Sequence, residues 1–246
     1  MWQAFRNEHH AAGFEVVTVA LDTAGPEACR RFIELGQPEH PSLIDEHHRV
    51  AELFGVVNIP NAVWIDEAGT IVRPPEPAPA PPTFRHLTAN IFAGVTEVPE
   101  RMKAIMGEAM HIQSSPEAYE AALVDWIANG SDSKFALSPG DVIARSGPRS
   151  ADAARGAAHF ELATHLELQG HHDAAISHFR LAHELVPDNF SYRRQAWSLE
   201  PGGDGPMERF WQGPTDDDDG AWPYDGDWLT DVRAMGPSNY YPTWQA

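Results

Sequence analysis

Hydrophobic and polar positions follow two periods along this chain, and prolines and glycines mark where one gives way to the other. Trp2, Phe5 and Ala12 recur at mixed helical spacing and the run stops at Gly13, predicting a helix already under way at Met1. Phe14 to Asp22, F-E-V-V-T-V-A-L-D, is rich in β-branched residues and reads as a buried strand. Thr23-Ala24-Gly25-Pro26 then sets proline at the first helical position with Glu27 in the first turn, predicting a helix over Pro26 to Leu35. Pro38 to Pro41 breaks the chain. Ser42 to Ile44 reads as a short strand, and Asp45 to Phe54 as a helix with Val50, Leu53 and Phe54 on its apolar face.

The most informative stretch is Gly55 to Asp66, G-V-V-N-I-P-N-A-V-W-I-D. Pro60 removes a backbone donor where the chain leaves a helix and must become a strand, so no central strand runs through it. Asn61 to Ile65 alternates, Asp66-Glu67-Ala68-Gly69 turns, and Thr70 to Arg73 returns, which predicts a β-hairpin. Pro74 to Pro82, P-P-E-P-A-P-A-P-P, is dense enough in proline to be extended and exposed. Further on, Ser115 and Pro116 open a helix with Tyr119, Leu123, Trp126 and Ile127 on one face and Gly130 at its end. That helix suits the closing of the sheet, so residues 74–114 read as an insertion, with Val98 to Met110 a helix within it.

After a linker over residues 131–150, two helices are predicted over Arg155 to Gln169 and His172 to Val186, with Asn189 to Leu199 as a capping helix. Ala163, Leu166, Gly170, Ala175, Phe179, Ala182 and Pro187 resemble a tetratricopeptide repeat, in which small residues let two helices cross closely. One repeat cannot bury its own apolar face, so another part of the chain or a partner must cover it. Residues 201–246 form an irregular tail that is acidic at Asp216 to Asp219 yet carries Trp211, Trp222, Tyr224, Trp228, Tyr240, Tyr241 and Trp244. Aromatics at that density need something to stack on, and the tail is expected to wrap its own protein rather than serve as a partner-binding arm.

Composition narrows the function classes. A net charge of −19 with a pI near 4.9 argues against nucleic acid or an anionic membrane surface as partner. No apolar run approaches the length of a membrane span, no secretory leader is visible, and one cysteine excludes an intramolecular disulfide, so a cytoplasmic protein is expected.

The runs V-V-T-V-A-L-D-T-A-G-P-E-A, P-S-L-I-D-E and V-A-E-L-F-G-V-V-N-I-P-N-A-V-W-I-D-E-A-G-T-I-V-R, in that order, resemble the thioredoxin-like superfamily, in particular redoxins of the TlpA/ResA and peroxiredoxin-related type. The resemblance implies an α/β thioredoxin-like domain over residues 1–130, followed by the linker, a helical TPR-like unit over 151–200 and the tail. It implies thiol-disulfide or peroxide chemistry on a protein thiol, disulfide or peroxide substrate, with no cofactor. It also makes Pro60 cis, at a concave edge facing the redox motif, and gives the backbone of Ile59 to the bound substrate.

The motif itself is missing. The family's C-x-x-C, or its variants, lies on the turn from the first core strand into the first helix, where the helix dipole lowers the thiol pKa. Nothing here corresponds, so no catalytic residue is assigned. Some relatives carry W-A-x-x-U-G-S-x-P-x-x-T there, U being selenocysteine, and the resemblance implies a chain lacking its first strand and motif. A poorly paired seam is then expected beside Phe14 to Asp22. Cys29 lies within the second helix, away from the redox position, and reads as a small hydrophobe.

The thirteen histidines include the doublets His9-His10, His47-His48 and His171-His172, and Glu161 with His165 one helical turn apart. None of these sets has metal-ligand spacing. Asp216 to Asp227 fails as a calcium loop, with Thr215 and Gly226 at its end positions. Two functions therefore compete: a redoxin-type oxidoreductase without its redox motif, and a non-catalytic module that engages a protein partner through the helical hairpin and aromatic tail.

Overall fold

The computed structural model describes residues 2–78, 100–200, 213–214, 222–242 and 244 of a mixed α/β chain in which helices predominate. Its described strands form two separate two-stranded sheets. Strand β1 (Thr18–Leu21) runs parallel to β2 (Ser42–Asp45), with Thr18 against Ser42 and Leu21 against Asp45, and helix α2 (Pro26–Gly36) makes the crossover. Strand β3 (Asn61–Ile65) pairs antiparallel with β4 (Ile71–Pro77). The turn between them is set by Asp66, whose Oδ1 accepts from the amides of Ala68 and Thr70, and by Gly69 at φ +80°. No ladder joins β1 to β3 among the described residues, which is the seam expected there.

Several elements differ from their sequence outlines. Helix α1 (Trp2–His9) continues as a 3-10 turn to Ala12 and stops at Gly13, but β1 is shorter than Phe14 to Asp22. Phe14 instead meets Phe5 edge-on at 5.3 Å, and Glu15 is held by Arg6, so the ladder begins only where Thr18 donates to the Pro41 carbonyl. Helix α3 (Arg49–Phe54) starts late because Asp45 ends β2 and then caps the helix, accepting from the amides of Arg49 and Val50. Its buried residue is Ala51. Leu53, expected on the apolar face, is 83% exposed.

The proline run is not wholly exposed. Strand β4 extends into it as far as Pro77, opposite Asn61, and Pro74 is buried, while residues 79–99 lie outside the described residues. Prolines are tolerated there because, among the described residues, β4 has a strand on one edge only.

Helix α5 (Pro116–Asn129) backs the hairpin as read: Trp64 donates from Nε1 to the Tyr119 hydroxyl at 3.0 Å and lies parallel to Trp126. The insertion, by contrast, joins the other end of the molecule. Its helix α4 (Glu100–Ala109) buries Ile105 among the C-terminal helices. The 131–150 segment carries a helix of its own, α6 (Pro139–Ser146), capped by Ser138.

Helices α7 (Ala151–Leu168) and α8 (His172–Leu185) form an antiparallel hairpin turned by Gly170 in the left-handed region. Small residues close the crossing: Ala163, Ala175 and Ala182 are fully buried, and Gly156 lies against Val186. Phe179 packs on Phe160, which stacks at 4.0 Å on Tyr192 of α9 (Phe190–Leu199). Helix α10 (Trp228–Met235), capped by Asp227, inserts Trp228 and Val232 into the same core. Tyr224 and Tyr240 are buried there too, so the described part of the tail wraps its own chain.

Two expectations follow. Phe179→Ala removes a side chain that is 1% exposed and should cost about 3 kcal/mol in chemical denaturation. Gly156→Ala would put its Cβ 2.9 Å from Val186 Cγ2 and should cost about 1–3 kcal/mol by overpacking, against a near-neutral result if the helices can part freely.

Candidate functional site

The loop from Val57 to Pro60 joins α3 to β3 and is the place where expected site residues meet the rest of the chain. Gly55, at φ +75°, ends α3 and turns the backbone outward. Asn58 is buried, and its Oδ1 accepts from the Ile59 amide and from Arg194 Nη2, while its Nδ2 donates to the Tyr240 carbonyl at 3.0 Å. The Ile59–Pro60 peptide is cis. The Ile59 carbonyl accepts from the Tyr241 hydroxyl at 2.8 Å and from Arg194 Nη2 at 3.3 Å. Both side chains of the Ile59–Pro60 pair are exposed, but the polar backbone beside them is taken.

One turn of α9 reaches a second loop. Gln195 Oε1 accepts from the Thr23 amide at 2.9 Å, just beyond β1, and contacts His48 Nε2 at 3.0 Å. An amide N–H can only donate, so the Gln195 atom is an acceptor and His48 must carry its proton on Nε2. His48 Nδ1 is then an unprotonated ring nitrogen, buried and without a partner, as are Thr23 Oγ1 and Ser191 Oγ. Burial lowers the His48 pKa despite its Gln195 bond, so the ring is neutral. Ser191, Arg194, Gln195 and Ser198 thus form a polar stripe at helical spacing that joins the end of β1 to the entry of β3. That i, i+3, i+4, i+7 stripe was present in the sequence, within a helix that also carries Phe190, Tyr192 and Trp197.

Cys29 has the opposite of an activating environment. It is 5% exposed, and burial, then Asp22, then Glu46 push its thiol pKa up. The Glu46 carboxylate lies against the N-terminus of α2, so near Gly25 that a Cβ there would stand 2.9 Å from Oε1. A negative side chain already occupies the end of the dipole that would stabilise a thiolate.

His47 and His48 lie in the turn before α3 rather than on the helix, and they part there: His47 is exposed while His48 is buried. Glu161 pairs with Arg49 rather than with His165. Among the described residues no group of three or more His, Cys, Asp or Glu could hold a metal ion. Two clusters escaped sequence reasoning. His159 and His178 bring their Nδ1 atoms to 3.0 Å across the α7–α8 crossing. His172 sits between Glu167 at 2.9 Å and Glu200 at 3.4 Å, and Glu200 accepts from the Tyr224 hydroxyl. Burial alone would lower the His172 pKa, but the two carboxylates outweigh it and raise it.

No family model, curated protein or solved structure matches the chain. No described helix is long and apolar enough to cross a membrane.

The buried histidines make the fold acid-sensitive. Burial, with the Arg193 charge adding to it, lowers the His183 pKa to about 3, and its Nε2 has no partner. An unfolded histidine takes a proton near 6.5, so between that value and about 3 the unfolded state binds more protons and stability falls with pH. His183→Gln should flatten the fall in unfolding free energy, read from urea denaturation, by about 1.4 kcal/mol per pH unit within that window; an unchanged slope assigns the acid sensitivity to other groups.

Proposed function

We propose that this chain is a thioredoxin-like protein of redoxin type with a TPR-like hairpin, and that it acts as a polypeptide-binding module rather than a thiol oxidoreductase. The order of elements supports the frame. A parallel β1–α2–β2 crossover, a helix, the Asn58–Ile59–Pro60 loop, an antiparallel hairpin and a covering helix follow one another as in that superfamily. The close-packed α7–α8 pair, with α9 laid against it, supports the repeat.

Cys29 carries the functional half of the reading. It is the chain's one cysteine, and it is buried with a raised pKa. Thiol-disulfide exchange and peroxide reduction both need an accessible thiolate. What supports binding is an edge of the kind that such enzymes use to hold a substrate: the Ile59 backbone carbonyl, engaged here by Tyr241 and Arg194, flanked by the exposed side chains of Val57 and Ile59.

The purified chain should show no turnover in a dithiol-driven insulin-reduction assay or a hydrogen peroxide consumption assay, and Cys29→Ser should behave identically. Turnover that disappears in Cys29→Ser would overturn the binding-module reading in favour of the oxidoreductase.

A further inference from the structure

We propose that His172 is a proton-operated clasp, which holds residues 222–226 against α8 and α9 while a proton sits between its ring and Glu200 and releases them when that proton leaves. His172 opens α8 and stands where three parts of the chain meet. Its Nδ1 lies 2.9 Å from Glu167 Oε2, in the last turn of α7, and its Nε2 lies 3.4 Å from Glu200 Oε2, just past the end of α9. A neutral imidazole has one N–H and serves one of these carboxylates, so its other nitrogen turns a lone pair toward a carboxylate oxygen. Both contacts are favourable only with a second proton in the site, carried on Nε2 or on Glu200.

Glu200 is the link to the segment. Its Oε1 accepts from the Tyr224 hydroxyl at 2.9 Å, and the buried Tyr224 ring lies 5.3 Å from His183 and 5.6 Å from Trp222. Next along the chain, Asp225 pairs with Arg180 in the open, where an ion pair contributes little. Firm attachment resumes at Asp227, which caps α10 and pairs with Arg101. When the proton leaves, Glu200 is a nearly buried carboxylate facing a lone pair; turning it to water relieves that contact and takes the acceptor from Tyr224, whose hydroxyl burial keeps protonated. Asp225 and Gly226 line a cavity of about 540 Å³ together with Arg180, Glu184 and Arg193, so the clasp governs access to it. Burial disfavours the charged ring, but the described groups acting on its charge, Glu167 from α7 and Glu200 from the end of α9, raise its pKa; burial raises that of Glu200 too. A raised histidine pKa gives the full hold below the ordinary value of 6.5 and loses it as pH rises through the higher folded value.

Amide hydrogen exchange of the full chain, read by mass spectrometry at pH 6 and pH 9 and corrected for intrinsic exchange at each pH, tests the clasp. In wild type, residues 222–226 should open about tenfold more at pH 9 than at pH 6, with the α7–α8 hairpin unchanged. His172→Gln should be open to the same degree at both. Glu200→Gln should stay closed at both, because its amide donates to His172 Nε2 while its oxygen takes the Tyr224 hydroxyl. This second variant decides the matter if His172→Gln does not melt cooperatively. Equal opening of wild type at the two pH values, or a wild-type pH response retained in either folded variant, overturns the proposal.

Discussion

A two-stranded sheet cannot stand alone in water, and the described residues of this chain form two of them with no ladder between. Each must be completed by something other than a strand. For the first, β1 and β2 receive α2 along the crossover, yet all four β1 residues remain half-exposed and Leu43 of β2 is 52% exposed. For the second, the aromatic face of α5 serves. The connection between the two falls to α9, which is nearly all buried and carries polar side chains that must find partners inside the protein. Gln195 and Arg194 find them in two loops from different sheets, and that requirement fixes where the C-terminal helices sit.

A second buried cation holds the hairpin. Arg73 is 1% exposed, forks onto Glu76 with both nitrogens within 3 Å and donates to the Phe135 carbonyl at 3.1 Å. Its guanidinium lies 5.4 Å from the Trp64 ring and 5.3 Å from the Trp244 ring. Removing one member of such a buried pair costs about 3–5 kcal/mol, because the other is left charged and unpaired. Glu76 also receives Trp244, so the proline-rich strand, the loop before α6 and the tail are all bound to one ion pair.

What could be read in the sequence is what depends on neighbours in the chain. Gly13, Gly130 and Gly170 mark the ends of helices because a left-handed backbone is local. The α7–α8 hairpin is legible because Ala163, Ala175 and Ala182 repeat at helical spacing. The parts that were missed depend on distant residues. Leu53 looked like part of an apolar face, but α3 starts four residues later than its pattern suggests, since Asp45 spends its carboxylate as a cap. The prolines of β4 looked extended and exposed because nothing local reveals that Asn61 and Ala62 will pair with Pro77 and Glu76. Asn58 and Gln195 are unremarkable in sequence; their meaning lies in partners 136 and 172 positions away.

The same separations set a clock on synthesis. Tyr241 follows Ile59 by 182 residues, and Trp244 follows Glu76 by 168. At about 5–20 residues per second, the ribosome needs on the order of 10–40 s to bring either contact into existence. Throughout that interval the first sheets are already outside the exit tunnel with the Ile59 carbonyl uncovered and Arg73 lacking its second ring. The nascent N-terminal half therefore presents to the cell a surface that the finished molecule hides, and any factor that binds it during translation meets a different protein from the one released.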